Sequence, residues 1–190
     1  VIELTSFFLG KFGFADYRVY LSTRPEKYVG TAEHWERATD ALKNALRNKN
    51  MDFEIDPGEG VFYGPKIDIK VTDSLKREWQ CTTIQVDFNI PERFDVKYID
   101  KEGNFRVPIL IHRAIFGSLE RFFGILIEQY KGNFPFWLAP EQLRILPIGD
   151  RHIDFAITVK NRLDRNFRVH IDERTEKINR KIRDAEDEKV

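Results

Sequence analysis

The string Ile111 to Leu126, with the apolar residues just before it, confines the chain to a strand, a tight turn and a helix in quick succession. Val107 to Ile111 is β-branched and apolar and reads as a buried strand. Gly117-Ser118 breaks the run, and Ser118 is a good helix N-cap. Beyond it Leu119, Phe122, Phe123, Leu126, Ile127 and Tyr130 recur at the spacing of one helical face. Arg121 then falls in the first turn, beside backbone N–H groups that have no partner within the helix. A cation there opposes the helix dipole unless an anion is held at that end. Local pattern leaves two readings open. One is a solvated or ion-paired arginine, the commoner case; the other is a helix start prepared for phosphate.

At 190 residues, 42% of them hydrophobic and 16 of them phenylalanine, the chain can bury a real core as one large domain or two small ones. Lys+Arg and Asp+Glu both number 31, so no global basic surface points to nucleic acid. No apolar run is long enough to cross a membrane, and nothing resembles a signal peptide. The one cysteine, Cys81, excludes an intrachain disulfide and suits a reducing cytoplasm. The start at Val-Ile-Glu-Leu, helix-like and without methionine, suggests a piece of a longer protein.

Along the chain, Val1–Gly10 reads as the end of a helix and Tyr17–Leu21 as a strand with Tyr17, Val19 and Leu21 on one face. An amphipathic helix is expected from Ala32 to Arg47, capped by Thr31, ended by Asn48-Lys49-Asn50, with Trp35, Ala38, Leu42, Ala45 and Leu46 inward and His34 solvated. Strands are expected over Val61–Lys66, Ile67–Val71, Glu78–Ile90 and Phe94–Ile99, with a hairpin turn at Lys101–Asn104. Short connections imply an antiparallel sheet. A proline-punctuated aromatic link, Phe134–Pro140, separates this from strand Leu143–Ile148, helix Asp150–Arg165, strand Arg168–Ile171 and helix Glu176–Glu188. That alternation implies a second, parallel sheet, and two strands are too few to complete it. The class is α+β, divided as 1–138 and 139–190.

Three clusters could carry chemistry. Tyr63-Gly64-Pro65-Lys66 is locally no more than a turn with an exposed lysine. In Glu78–Ile90, alternation puts Gln80, Thr82, Ile84, Val86 and Phe88 on one face and Cys81, Thr83, Gln85 and Asp87 on the other. Buried glutamines need partners, which a nucleotide or amino acid could supply, as could open water. Cys81 reads as a small buried residue. His112 shares its strand face with Pro108 and Leu110; alone it is more often a satisfied side chain than a metal ligand, and His34, His152, His170 and Cys81 lie at no ligand spacing from it.

The string His-Arg-Ala-Ile-Phe-Gly-Ser-Leu-Glu-Arg, His112 to Arg121, resembles motif 3 of the class II aminoacyl-tRNA synthetases in its threonyl-tRNA synthetase form. Gly58 to Ile67 and Trp79 to Phe88 are similar to two further segments of that family, in the same order, so the resemblance spans nearly all of the chain. It implies a partial class II catalytic sheet followed by a truncated α/β anticodon-binding domain. It implies threonine–tRNA ligase activity, with Mg-ATP, L-threonine and tRNA(Thr) as substrates and a homodimer at full length.

By the same resemblance Arg121 holds the γ-phosphate of a bent ATP and Lys66 lies near the reacting phosphates. Gln80, Thr83 and Ser118 bind ATP, while Tyr63, Gln85 and His112 bind the amino acid. His112 is also the counterpart of one zinc ligand in a Cys-and-two-His set whose other members belong upstream of Val1. The motif 2 arginine and the motif 1 dimer surface have no counterpart here, so the chain alone is expected to be inactive. Gln80 and Gln85 can share one pocket only if a bulge near Cys81-Thr82 re-aims one of them. Thr82 stands where the family resemblance leads us to expect a small residue. The competing expectations are a synthetase-like RNA-binding or regulatory module without catalysis, and a related class II enzyme for another amino acid.

Overall fold

The computed structural model describes all 190 residues and divides them into two compact units, 1–126 and 127–190. In the first, α1 (Ile2–Lys11) leads to β1 (Tyr17–Ser22) and then α2 (Ala32–Arg47). The Thr31 hydroxyl caps α2 by accepting from the His34 amide at 3.2 Å, as its spacing predicts. β2 (Glu54–Asp56), β3 (Lys66–Thr72), β4 (Glu78–Asp87) and β7 (Leu110–Ala114) complete a five-stranded sheet in the order β2-β1-β3-β4-β7. The pairings are antiparallel except β1 with β2, a short parallel strand that the sequence pattern does not reveal.

One sheet face is apolar. Val19, Leu21, Ile67, Ile69, Val71 and Ile84 are buried there with Trp35, Ala38, Leu42 and Leu46 of α2. Each valine, leucine or isoleucine among them contributes about 1.5–3 kcal/mol when fully buried. Trp35 also donates from Nε1 to the Val29 carbonyl at 2.9 Å. At the α1 end, Phe12, Phe14 and Phe116 meet Phe122 with ring centroids 4.5–5.6 Å apart. This cluster seats α4 (Leu119–Tyr130) by a narrower stripe than its periodicity suggests. Phe122, Ile125 and Leu126 are buried, whereas Leu119, Phe123 and Ile127 face outward.

Several sequence expectations are corrected. Val61–Pro65 is a loop closed by a Val61–Gly64 bridge, and only from Lys66 does the strand run. Glu78–Ile90 ends early because the Asp87 carboxylate accepts from the Asn89 and Ile90 amides at 2.9 and 3.0 Å. That Asx turn starts a short helix, α3 (Asn89–Arg93), with Pro91 in its first turn, where a missing N–H costs nothing. Phe94–Val96 then folds back on α3, the Val96 amide donating to the Pro91 carbonyl at 2.8 Å. Only β5 (Tyr98–Ile99) and β6 (Phe105–Arg106) pair, around the expected turn. The buried strand expected at Val107–Ile111 is absent over Val107–Ile109 and begins only at Leu110 as β7, an outer strand bonded only to β4; Ile109 and Ile111 are 56% and 59% exposed.

The second unit contains β8 (Leu143–Ile145), a 3-10 turn at Asp150–His152, α5 (Ile153–Leu163), β9 (Val169–Ile171) and α6 (Ile178–Asp187). β8 and β9 pair in parallel, as the alternation predicts. The lysine Lys181, 3% exposed, donates to the Asp172 and Pro147 carbonyls at 2.8 and 3.2 Å, tying α6 to the strand ends.

The β3–β4 turn has an acid-sensitive fastener. Asp73 accepts from the Leu75 and Arg77 amides, Arg77 Nε and Trp79 Nε1, all within 2.6–2.9 Å. Burial alone raises its pKa, but these donors outweigh it and hold the carboxyl down at about 2. A depressed carboxylate stabilises the fold above its unfolded pKa and stops doing so as pH falls through the folded value. Asp73→Asn is therefore expected to lower the Tm at pH 7, with the gap to wild type closing between pH 4 and pH 2 in thermal melts. A gap independent of pH would show that the charge is not what matters.

Candidate functional site

The face of the sheet opposite α2 is polar, and one irregularity organises it. In the β3–β4 ladder Ile69 stands opposite Thr82 but Lys70 stands opposite Gln80, so Cys81 is an extra residue. A bulge of this kind shifts alternation by one step. Gln80 is thereby brought to the same face as Thr83 and Gln85, and the bulge expected near Cys81-Thr82 is present. Cys81 itself is buried, which pushes its thiol pKa up.

The hub is Asp68, a residue that sequence reasoning missed. It is 3% exposed. One carboxylate oxygen accepts from Gln80 Nε2 at 2.7 Å and Thr83 Oγ at 2.8 Å. The other accepts from Lys66 Nζ at 2.5 Å and Ser22 Oγ at 3.3 Å. Gln80 Nε2 also donates to Thr83 Oγ at 2.8 Å. Three predicted residues, Lys66, Gln80 and Thr83, are thus fixed around one buried charge. The available signal was the alternation Lys66-Ile67-Asp68-Ile69-Lys70, which places Asp68 beside Lys66 and away from the core.

Toward the other end of the same face, Tyr63 donates its hydroxyl to Gln85 Oε1 at 2.6 Å. Burial, and then the nearby Asp87 charge, raise the Tyr63 pKa, so the phenol stays a donor. The loop is held against β4: Asn89 Nδ2 donates to the Tyr63 carbonyl at 2.8 Å, and a Cβ at Gly64 would lie 1.7 Å from the Val86 carbonyl oxygen. Only glycine permits that approach. His112 pairs across the ladder with Gln85, and its ring edge meets Tyr63 with centroids 5.9 Å apart. Its Nε2 lies 2.9 Å from Asp87 Oδ2. A carboxylate only accepts, so in this contact Nε2 is the donor. Asp87 was placed on the polar face by alternation, but a partnership across 25 residues leaves no trace in spacing.

Arg121 sits where the strand, the bulge and α4 meet. Its Nη2 donates to the Gln80 carbonyl, which the bulge exposes, and its guanidinium lies 5.9 Å from the Trp79 ring. Gly117, at φ +66°, lets the turn pass over this contact, since a Cβ there would lie 2.9 Å from Arg121 Nη2. Ser118 caps α4, accepting from the Arg121 amide at 3.4 Å and donating to Glu120 at 2.7 Å. That bond holds Glu120 below the usual carboxylate range, so the first turn carries an anion of its own beside the arginine.

No group of three or more His, Cys, Asp or Glu side chains converges anywhere in the chain. Zinc takes at least three protein ligands. His112 with Asp87 alone does not make such a site.

A family described as tRNA synthetase class II core domain (G, H, P, S and T) matches residues 1–130, and one described as anticodon binding domain matches residues 142–190. The chain belongs to the class II tRNA synthetase core family. Over its full length it is 51% identical to a threonine–tRNA ligase of Sulfurihydrogenibium sp., of which it covers 30%. Against a chloroplastic/mitochondrial threonine–tRNA ligase of Arabidopsis thaliana it is 55% identical over 163 residues, 86% of this chain and 25% of that one. It also superposes on the RNA binding domain of threonyl-tRNA synthetase from Cryptosporidium parvum with TM-score 0.91 and 42% identity, covering 99% of this chain and 48% of that one. The chain thus spans about 30% of the length of the first of these relatives.

The polar face rests on the Asp68–Lys66 pair. Removing one partner of a buried ion pair leaves the other uncompensated, at a cost of about 3–5 kcal/mol. Asp68→Ala is expected to destabilise the chain by about 3 kcal/mol in urea titration, since Lys66 retains some access to solvent. A loss below about 1 kcal/mol would show that the lysine and the two β4 side chains are held by something else.

Proposed function

We propose that this chain is part of a threonine–tRNA ligase, and that its polar sheet face binds ATP and L-threonine for adenylate formation. The observation that carries the reading is the bulge at Cys81, which gathers Gln80, Thr83 and Gln85 beside Lys66 and ties Arg121 to the Gln80 carbonyl. A threonine carboxylate oxygen attacks the α-phosphorus, and the bond from that phosphorus to the bridging oxygen breaks, releasing pyrophosphate. A hydroxyl of the tRNA terminal ribose then attacks the acyl carbon, passes its proton to solvent and releases AMP. Little covalent work falls to the protein; it positions reactants and offsets charge.

In this reading Arg121 holds the γ-phosphate. One of its five N–H donors is committed to Gln80, which fixes the plane of the fork while the others serve the ligand. Lys66 offsets charge on the reacting phosphates, and Gln80, Thr83 and Ser118 contact the nucleotide. Tyr63, Gln85 and His112 form the amino-acid end. In this reading zinc takes His112 together with two ligands from outside the 190 residues, and no step above depends on it. Its appeal is selectivity, because an apolar pocket separates near-isosteres such as threonine and valine by only about 100-fold. Magnesium accompanying ATP, tRNA(Thr), a homodimeric full-length enzyme and a cytoplasmic setting complete the proposal, the last supported by a single buried free cysteine. We place the domain boundary at 138/139, in the Pro135–Pro140 turn where the Leu138 and Ala139 amides both donate to the Pro135 carbonyl.

Threonine-dependent ATP–pyrophosphate exchange tests this. The full-length enzyme is expected to exchange, and the 190-residue chain alone is not, since the resemblance puts the motif 2 arginine outside it. Exchange driven by another amino acid would reassign specificity; none with any amino acid would favour a non-catalytic module. In the active enzyme, Arg121→Ala is expected to slow adenylate formation by roughly 100-fold, with threonine affinity changed less than about three-fold. Equal losses in both would contradict the phosphate role.

A further inference from the structure

The ladder between β4 and β7 ends at Thr83 opposite Ala114. One step further, where a backbone pair would stand, the Thr82 hydroxyl donates to the Ile115 carbonyl at 2.6 Å instead. Thr82 is fully buried and adjoins the bulged residue Cys81. The residues that follow Ile115 make the turn across the bulge. A Cβ on Gly117 would lie 3.3 and 3.4 Å from the Cys81 and Gln80 carbonyl oxygens and 2.9 Å from Arg121 Nη2. The turn, the bulge and the guanidinium therefore share one small volume. A side-chain hydrogen bond fastens its entry. Its exit is fastened by Arg121 itself, on the Gln80 carbonyl.

We propose that Thr82 is a positioning residue for Arg121: its hydroxyl sets the height of the Ile115–Ser118 turn over the bulge, and through it the place of the guanidinium that meets ATP. The inference rests on the adenylate-forming role proposed above. Thr82 reaches no ligand, because its side chain lies on the buried side of β4 and its hydroxyl is committed to Ile115. Losing the hydroxyl takes this donor from the carbonyl of the half-buried Ile115, and the turn shifts to find that oxygen another partner. A catalytic group displaced by even a fraction of an ångström loses rate.

The test uses the full-length enzyme and pyrophosphate exchange. Thr82→Val keeps the volume and removes the donor; Thr82→Ala removes it with no added bulk, and serves if the valine variant does not fold. Both are expected to lower kcat/KM for ATP by roughly ten-fold while threonine KM stays within about two-fold. Thr82→Ser is expected to behave as wild type. In an Arg121→Ala background, Thr82→Val or Thr82→Ala is expected to have no further effect on ATP, because the two act through one group. Losses spread equally over ATP and threonine, or additive in the double variant, would overturn the inference and leave Thr82 a merely structural residue. An active wild type with unaffected Thr82 variants would also sink it alone. A wild type without threonine-dependent exchange would instead remove the functional reading on which it depends.

Discussion

The extra residue at Cys81 is the constraint on which the site depends. A strand that alternates without interruption sends Gln80 and Gln85 to opposite faces, and parts Gln80 from Asp68 and Thr83. Inserting one residue against the Ile69–Lys70 step keeps Ile84 and Thr82 on the core side and returns Gln80 to the polar side. It also turns the Gln80 carbonyl out of the ladder. That acceptor is filled by Arg121, which comes from a helix 41 residues further along. A defect in one ladder thus fixes the position of a cation in another element.

Around the bulge the polar face holds together by mutual satisfaction. Asp68 is a charge with almost no access to water, a state tolerated only with donors on every side. It has four, from three strands. Each donor is in turn oriented, so Lys66, Gln80 and Thr83 lose the freedom that would otherwise have to be frozen out when a ligand binds. Asp87 serves His112 in the same way, while its second oxygen ends β4 and starts α3.

Much of this was legible in advance, for reasons that differ by element. α2 and its Thr31 cap follow from local periodicity and one side chain, both confined to a short window. The parallel pair in the second unit follows from the order of elements. The resemblance assigns Gln80 and Gln85 to one pocket, and parity then leaves either a bulge or a wrong assignment, because two residues an odd number apart cannot share a face of a regular strand; the ladder contains the bulge. Burial was less legible. Apolar residues at β7 suggested an interior strand, yet which strand is outermost depends on the whole sheet. The stripe on α4 was likewise set by the phenylalanine cluster it meets, not by its own pattern. Asp68 stayed hidden because, Lys66 apart, its partners lie 12 to 46 residues away, and the role of Asp87 because His112 lies 25 residues further on; a lone acidic residue in a strand reads as solvated.

The central claim is that the bulged β4 presents Gln80, Thr83 and Gln85 to one ligand-bearing face. The most direct measurement is a crystal structure of the full-length enzyme with a non-hydrolysable ATP analogue and threonine bound. The account predicts Cys81 bulged, polar atoms of Gln80, Thr83 and Gln85 within about 3 Å of ligand atoms, and Arg121 on the terminal phosphate. A regular β4 with Gln80 and Gln85 on opposite faces, or ligands bound away from this face, would contradict it.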